Sequence, residues 1–287
     1  MKNVGIFGIG AIGSLITKYI TTNQKNNYFF YNRSHKDKIS IQFDDQLTDI
    51  PIQISTIKNQ QLDWLIICLK EYHVDNAKEQ LIELIDDSTK IAIFQNGINL
   101  SDRYQNLTSP NNILETIIDC PIQRTKTGTL IQLKSPKIIL PKHPAANEFI
   151  QLFDNSPIEF ETSEKFKEAQ WIKLIESSSI GSIQCITVQP CSTFDHPERL
   201  QEFIELVEEG IAVAHSEGIH LSSDLNSQLL TKLKRYPKSK GSSMLTDKLN
   251  GKELELGAKI GVILNIAKRN NIDVPTTQKI YYSLVNN

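Results

Sequence analysis

Apolar residues fall in short continuous runs in the first half of the chain and at helical spacing in the second. Val4-Gly5-Ile6-Phe7 reads as a buried strand, and Ala11 to Ile20 follows as a helix with Ile12, Leu15, Ile16 and Tyr19 at helical spacing. Tyr28 to Tyr31, Trp64 to Leu69 and Ile91 to Phe94 are further strand-like runs, with a helical stretch from Val74 to Ile85. Apolar runs of this length, separated by helical patterns, indicate parallel strands buried on both faces with crossover helices. Ile113 to Ile118, Gly128 to Leu133 and Lys137 to Leu140 read as antiparallel additions to the sheet, punctuated by Pro121, Pro136 and Pro141.

Near residue 163 the pattern changes. Ser163 is placed to cap a helix running from Glu164 to Ile186. Leu200 to His215 (closed by Gly218), Leu221 to Leu233 and Met244 to Arg269 read as further helices. The expected fold class is α/β: an N-terminal doubly wound Rossmann-type domain over residues 1–163, then an all-helical domain over 164–287. A length of 287 residues suits two domains.

Composition narrows the function classes. A net charge of -2 removes the global argument for nucleic acid as a partner. No apolar run reaches the ~18–20 residues that span a membrane, and the N-terminus shows no signal-peptide pattern. Cys68, Cys120, Cys185 and Cys191 are scattered and form no C-x-x-C pair, so they read as inert thiols in a reducing, cytoplasmic setting. The histidines show no metal-ligand spacing, and no metal is expected.

The candidate chemistry begins at Gly8-Ile9-Gly10-Ala11-Ile12-Gly13, a G-x-G-x-x-G loop between the first strand and the first helix. Gly8 permits the tight turn, Gly10 lets backbone approach a pyrophosphate, and Gly13 allows close helix–strand packing. The helix N-terminus then offers free N–H groups and partial positive charge to the phosphates. After the second strand an NAD site carries Asp or Glu for the ribose 2′-OH. This chain has Asn32-Arg33-Ser34-His35-Lys36. Arg33, with Lys36 as helper, suits a 2′-phosphate, so the expected cofactor is NADP(H).

From these residues onward the chain resembles the ketopantoate reductases (2-dehydropantoate 2-reductases) over essentially its whole length. Ile66-Ile67-Cys68-Leu69-Lys70 is similar to the family's strand ending in a lysine by the cofactor. Gln95-Asn96-Gly97 resembles its Asn-Gly turn, and Trp171-Ile172-Lys173-Leu174 its W-x-K-L helix. Ser242-Ser243-Met244-Leu245-Thr246-Asp247, Leu254-Glu255-Leu256 and Ile272-Asp273-Val274-Pro275 resemble its remaining motifs. The resemblance implies NADPH-dependent reduction of 2-dehydropantoate to pantoate, in pantothenate biosynthesis, in a cleft between the two domains. It makes Lys173 the general acid and Glu255 the residue that holds substrate or orients Lys173. It assigns substrate contacts to Asn96, Ser177, Ser243 and Lys70, and cofactor contacts to the loop from Gly8 to Gly13, Arg33, Lys70 and Asn96.

The family's lysine helix usually carries Asn four and eight residues further on; here those positions are Ser177 and Gly181. Glycine offers no side-chain hydrogen bond, so Gly181 is expected to open space for a bulkier or less polar 2-keto acid. Two alternatives stay open: a D-2-hydroxyacid dehydrogenase on the same scaffold, and a non-catalytic sensor of NADP. The loop Arg235-Tyr236-Pro237-Lys238-Ser239-Lys240 reads as mobile and solvated, able to close over an anion. A helical domain of this kind can pair with a copy of itself through an exposed apolar face.

Overall fold

The structure, a computed structural model, describes residues 1–56, 61–125 and 127–286. The chain divides into two compact units, Met1–Gln95 with Asn99–Phe166, and Asn96–Ile98 with Lys167–Asn287. The short turn after Gln95 therefore groups with the helical part of the chain.

The first unit contains β1 (Asn3–Phe7), α1 (Ala11–Ile20), β2 (Asn27–Tyr31), β3 (Lys38–Phe43), β4 (Gln46–Pro51), β5 (Trp64–Ile67), α2 (Lys78–Leu84), β6 (Lys90–Ile93), β7 (Ile113–Glu115), β8 (Ile117–Asp119), β9 (Ile122–Arg124), β10 (Leu130–Gln132), β11 (Lys137–Pro141), α3 (Ala146–Gln151) and β12 (Glu159–Ser163). Its main sheet has the order β2-β1-β5-β6-β7, and every neighbouring pair is parallel. Val4, Ile6, Trp64, Ile66 and Ala92 have no exposure, as strands covered on both faces require. From β1 the chain passes to β2 on one side and later to β5 on the other. The carboxyl ends of β1 and β5 thus flank the point where strand order reverses, the usual ligand crevice of an open parallel sheet.

Residues 113–140 meet the expectation of antiparallel additions only in part: β8 with β11 and β9 with β10 pair antiparallel, but outside the main sheet. β7 extends the main sheet in parallel. β8 joins β11 and β12 in a separate sheet, while β9 and β10 join β3 and β4 in another. The β3–β4 hairpin has no counterpart in the sequence reading; its outer strand alternates only weakly and is largely exposed. Ser163 ends β12 rather than capping a helix within the chain's next residue, and its Oγ accepts a hydrogen bond from the Lys165 N–H.

The second unit contains α4 (Phe166–Thr187), α5 (Pro197–Ser216), α6 (Leu225–Arg235), α7 (Ser243–Leu249), α8 (Val262–Asn270) and α9 (Pro275–Val285). Its core joins Trp171, Leu174 and Ile175 of α4 to Phe203, Leu206 and Val207 of α5 and to Ile263, Leu264 and Ala267 of α8. Met244 to Arg269 is not one helix. α7 stops at Asn250-Gly251, where Gly251 takes φ +62° and the Lys252 N–H reaches back to the Asp247 carbonyl. That is the glycine stop of a helix end. After an irregular stretch, a π-turn over Gly257–Gly261 starts the next helix. α9 was not anticipated; its N-terminus is held by Glu209, whose carboxylate accepts the Thr276 and Thr277 N–H groups.

Candidate functional site

In the first unit, the glycine loop follows β1 directly. Gly8 takes φ +96°, which an L side chain rarely adopts. A Cβ on Gly13 would lie 2.0 Å from the Gly8 carbonyl oxygen, so α1 can pack here only as glycine. A Cβ on Gly10 would meet nothing within 4 Å. The space in front of the α1 N-terminus is therefore open, and no side chain caps the helix. Ala11 and Ile12 begin α1 behind that opening. Unsatisfied helical N–H groups facing open space are what a pyrophosphate needs, so the loop fits a dinucleotide.

Ile9 is different. Its N–H donates to Asn32 Oδ1 at 3.1 Å, and its carbonyl accepts from Lys36 Nζ at 2.7 Å. Lys36, expected as a 2′-phosphate helper, is thus spent on holding the loop. Burial, and secondarily the Arg124 guanidinium, push its ammonium below the ordinary lysine value. Arg33 is exposed and makes no hydrogen bond or ion pair among the described residues. Its guanidinium is available to an incoming phosphate. Sequence reasoning missed Arg124, because only the β9–β10 pairing with β3 brings this strand residue near the loop. Lys70 stands just past β5, with its ammonium 5.8 Å from the centre of the Tyr72 ring. Beside it, Gln95 Nε2 donates to the Leu69 carbonyl at 2.9 Å.

In the second unit the expected residues converge from distant parts of the chain. Asn96 Nδ2 donates to Glu255 Oε2 at 3.3 Å across 159 residues of sequence. Glu255 is 5% exposed and lies on the irregular segment between α7 and the π-turn, not on a helix. Ser242 caps α7, accepting from the Leu245 N–H, which leaves Ser243 exposed at the first turn. Lys173 is half-buried on α4. Ser177, one turn on, donates its hydroxyl to the Leu174 carbonyl of its own helix.

Two expectations fail here. Gly181 does not open space: a Cβ at this position would lie 2.9 Å from Met244 Sδ and 3.4 Å from Met244 Cβ, so a thioether already fills the position. The Arg235–Lys240 loop is not free. The Cys191 and Ser192 N–H groups donate to the Lys240 and Lys238 carbonyls, Lys238 pairs with Asp195, and buried Gln184 holds both the Lys240 carbonyl and the Ser242 N–H. Burial pushes the Lys240 ammonium down to about 8.

Lys259 was not anticipated. It sits inside the π-turn with φ -118° and ψ -106°, is 2% exposed, and reaches Ser243 Oγ with Nζ at 3.3 Å. Burial lowers its affinity for a proton, while Glu255 acts in the opposite sense and Lys173 adds to the lowering. The four cysteines are unpaired and buried. Among the described residues no helix is long and apolar enough to cross a membrane.

Comparison with known proteins covers both units. A family profile described as ketopantoate reductase PanE/ApbA matches residues 4–145, and its C-terminal counterpart matches residues 165–286. A curated 2-dehydropantoate 2-reductase from Caulobacter vibrioides is 23% identical over 98% of this chain and 97% of its own length. A dimeric ketopantoate reductase from Staphylococcus aureus superposes with a TM-score of 0.87, at 23% identity, covering 99% of this chain and 98% of that one. A D-mandelate dehydrogenase solved with NADH and anilino(oxo)acetate superposes with a TM-score of 0.88, at 16% identity, covering 99% and 97%.

Proposed function

The chain belongs to the ketopantoate reductase PanE/ApbA family and is an oxidoreductase, and on that premise we propose that it reduces a 2-keto acid with NADPH, 2-dehydropantoate to pantoate being the leading reaction. The observation that carries this reading is the meeting of Asn96 with Glu255, in the unit that also holds Lys173 and Ser243. A lone surface lysine would not explain a buried carboxylate bonded to an amide from a turn so far away in sequence.

Bound NADPH supplies a hydride to the keto carbon. Lys173 gives its Nζ proton to the carbonyl oxygen as negative charge develops there, and regains a proton from solvent. Glu255 orients the ammonium and the substrate, and Asn96 holds the Glu255 carboxylate in place. Ser243 offers its hydroxyl to the substrate carboxylate. Arg33 takes the 2′-phosphate, and the Gly10–Gly13 backbone takes the pyrophosphate. Lys70 stands on the cofactor side. A homodimer and a cytoplasmic location complete the reading, the first from the dimeric relative and the second from the unpaired cysteines.

Ser177 and Gly181, where the family usually has asparagines, keep a branched 2-keto acid other than ketopantoate as the second choice of substrate. The test is NADPH oxidation with ketopantoate and a panel of branched 2-keto acids. Turnover in the range ~1–10³ s⁻¹ is expected for one of them, with Lys173→Ala lowering kcat by about 10²–10⁴. Tight NADPH binding with no keto acid reduced would replace this reading with that of a nucleotide sensor.

A further inference from the structure

A buried ammonium normally has a carboxylate within ion-pair reach, because an unpaired charge out of water is costly. Lys259 lacks one among the described residues. Its one hydrogen bond there is to a neutral hydroxyl, Ser243 Oγ, at 3.3 Å. An ammonium has three donors, so two remain unused. Glu255 and Asp247 lie near enough to act on it electrostatically, but neither forms an ion pair with it.

Backbone geometry explains how the side chain gets there. In a regular helix from Met244 onward, residue 259 would follow the helical repeat. Instead, the Gly261 N–H reaches the Leu256 carbonyl at 2.7 Å, a five-residue step. Gly261 is close to obligatory, since a Cβ there would lie 2.7 Å from that same oxygen. The widened turn puts Lys259 outside helical φ/ψ and turns it inward. Such π-turns cost helix regularity and recur at functional sites. The tip of the side chain ends beneath Ser243, which is exposed. The whole side chain is covered by protein, and its end meets the hydroxyl of Ser243, a residue open to solvent.

We infer that Lys259 and Ser243 together form the anchor for the substrate's carboxylate, an ammonium–hydroxyl pair that makes Lys259 a specificity-determining residue. This rests on the reading of the site as one for 2-keto acids. It also accounts for the altered helix face: Ser177 is bonded to its own helix and Gly181 is covered by Met244, so substrate grip has moved from α4 to the π-turn. A charged donor supplies more than a neutral amide does.

The test is Lys259→Met, which keeps volume and removes charge. Replacing an unpaired buried cation with an apolar chain is expected to leave the melting temperature unchanged or raised. With the 2-keto acid, KM is expected to rise about 10–100-fold and kcat to change little. With the corresponding 2-oxo amide, which lacks the charge, KM is expected to stay put. Equal losses on acid and amide, or a fall in kcat with KM unchanged, would overturn the anchor. A second readout needs no turnover: titration of oxamate into the NADP⁺-saturated protein by calorimetry. Oxamate binding to wild type that is weakened in Lys259→Met supports the anchor even if no keto acid is reduced, in which case only the reading as a reductase fails. Equal binding to both proteins, or to neither, overturns it.

Discussion

Gly10 and Gly13 look alike in sequence, three residues apart, and differ in what surrounds them. Around Gly10 the space for a Cβ is empty; at Gly13 it is occupied by the Gly8 carbonyl. Gly10→Ala, with φ -78° already accessible to alanine, is therefore expected to cost less than about 1 kcal/mol of stability while weakening NADPH binding tenfold or more. Gly13→Ala gains up to ~1 kcal/mol of helix propensity and loses more to backbone overlap, about 1–3 kcal/mol. Thermal melts and nucleotide fluorescence on the two variants separate the roles; equal melting temperatures would contradict the assignment. These glycines were readable because each answers a separate steric demand of a strand–turn–helix. Lys259 was not, because nothing in its own neighbourhood marks it; its placement depends on a helix break that begins at Asn250-Gly251.

At the scale of elements, the packing of α7 on α4 decides what Gly181 means. Sequence alone suggested a gap there, since a small residue is read as space until its neighbour is known. Met244 occupies the position. Restoring the family's usual residue by Gly181→Asn is thus expected to destabilise the protein by about 1–3 kcal/mol through overpacking. The double variant Gly181→Asn/Met244→Ala is expected to recover much of that loss, a coupling that denaturant melts can read as a double-mutant cycle. Additive losses would show that the two side chains do not compete for one space. Central strands β1, β5 and β6 were legible for the opposite reason. Burial on both faces forces an uninterrupted apolar run, and that signal survives without knowledge of the neighbours. The β3–β4 hairpin, exposed along its outer strand, carries no such signal.

For the whole molecule, strand order is the most informative feature. The reversal at β1 and β5 explains why a glycine loop and a lysine at strand end lie on the same end of one sheet, although residues 14–69 come between them. The other unit brings Lys173, the buried Glu255 carboxylate and Lys259, a buried lysine without an ion pair among the described residues, within electrostatic reach of one another. Fold class was legible because strand-like runs alternate with helical stretches up to about residue 163 and give way to helical spacing alone beyond it. The convergence of Asn96, Ser243 and Glu255 was not visible as geometry, since spacing in sequence says nothing of a contact across 159 residues. The proposed chemistry is one transfer of hydride and proton. The most direct measurement is a single turnover with NADPH deuterated at the transferable C4 position and a 2-keto acid, followed by mass analysis of the product. Deuterium at C2 of the 2-hydroxy acid, formed by wild type and suppressed about 10²–10⁴-fold in rate by Lys173→Ala, is the expected result. Cofactor oxidation without label at C2, or transfer at an undiminished rate in Lys173→Ala, would contradict it.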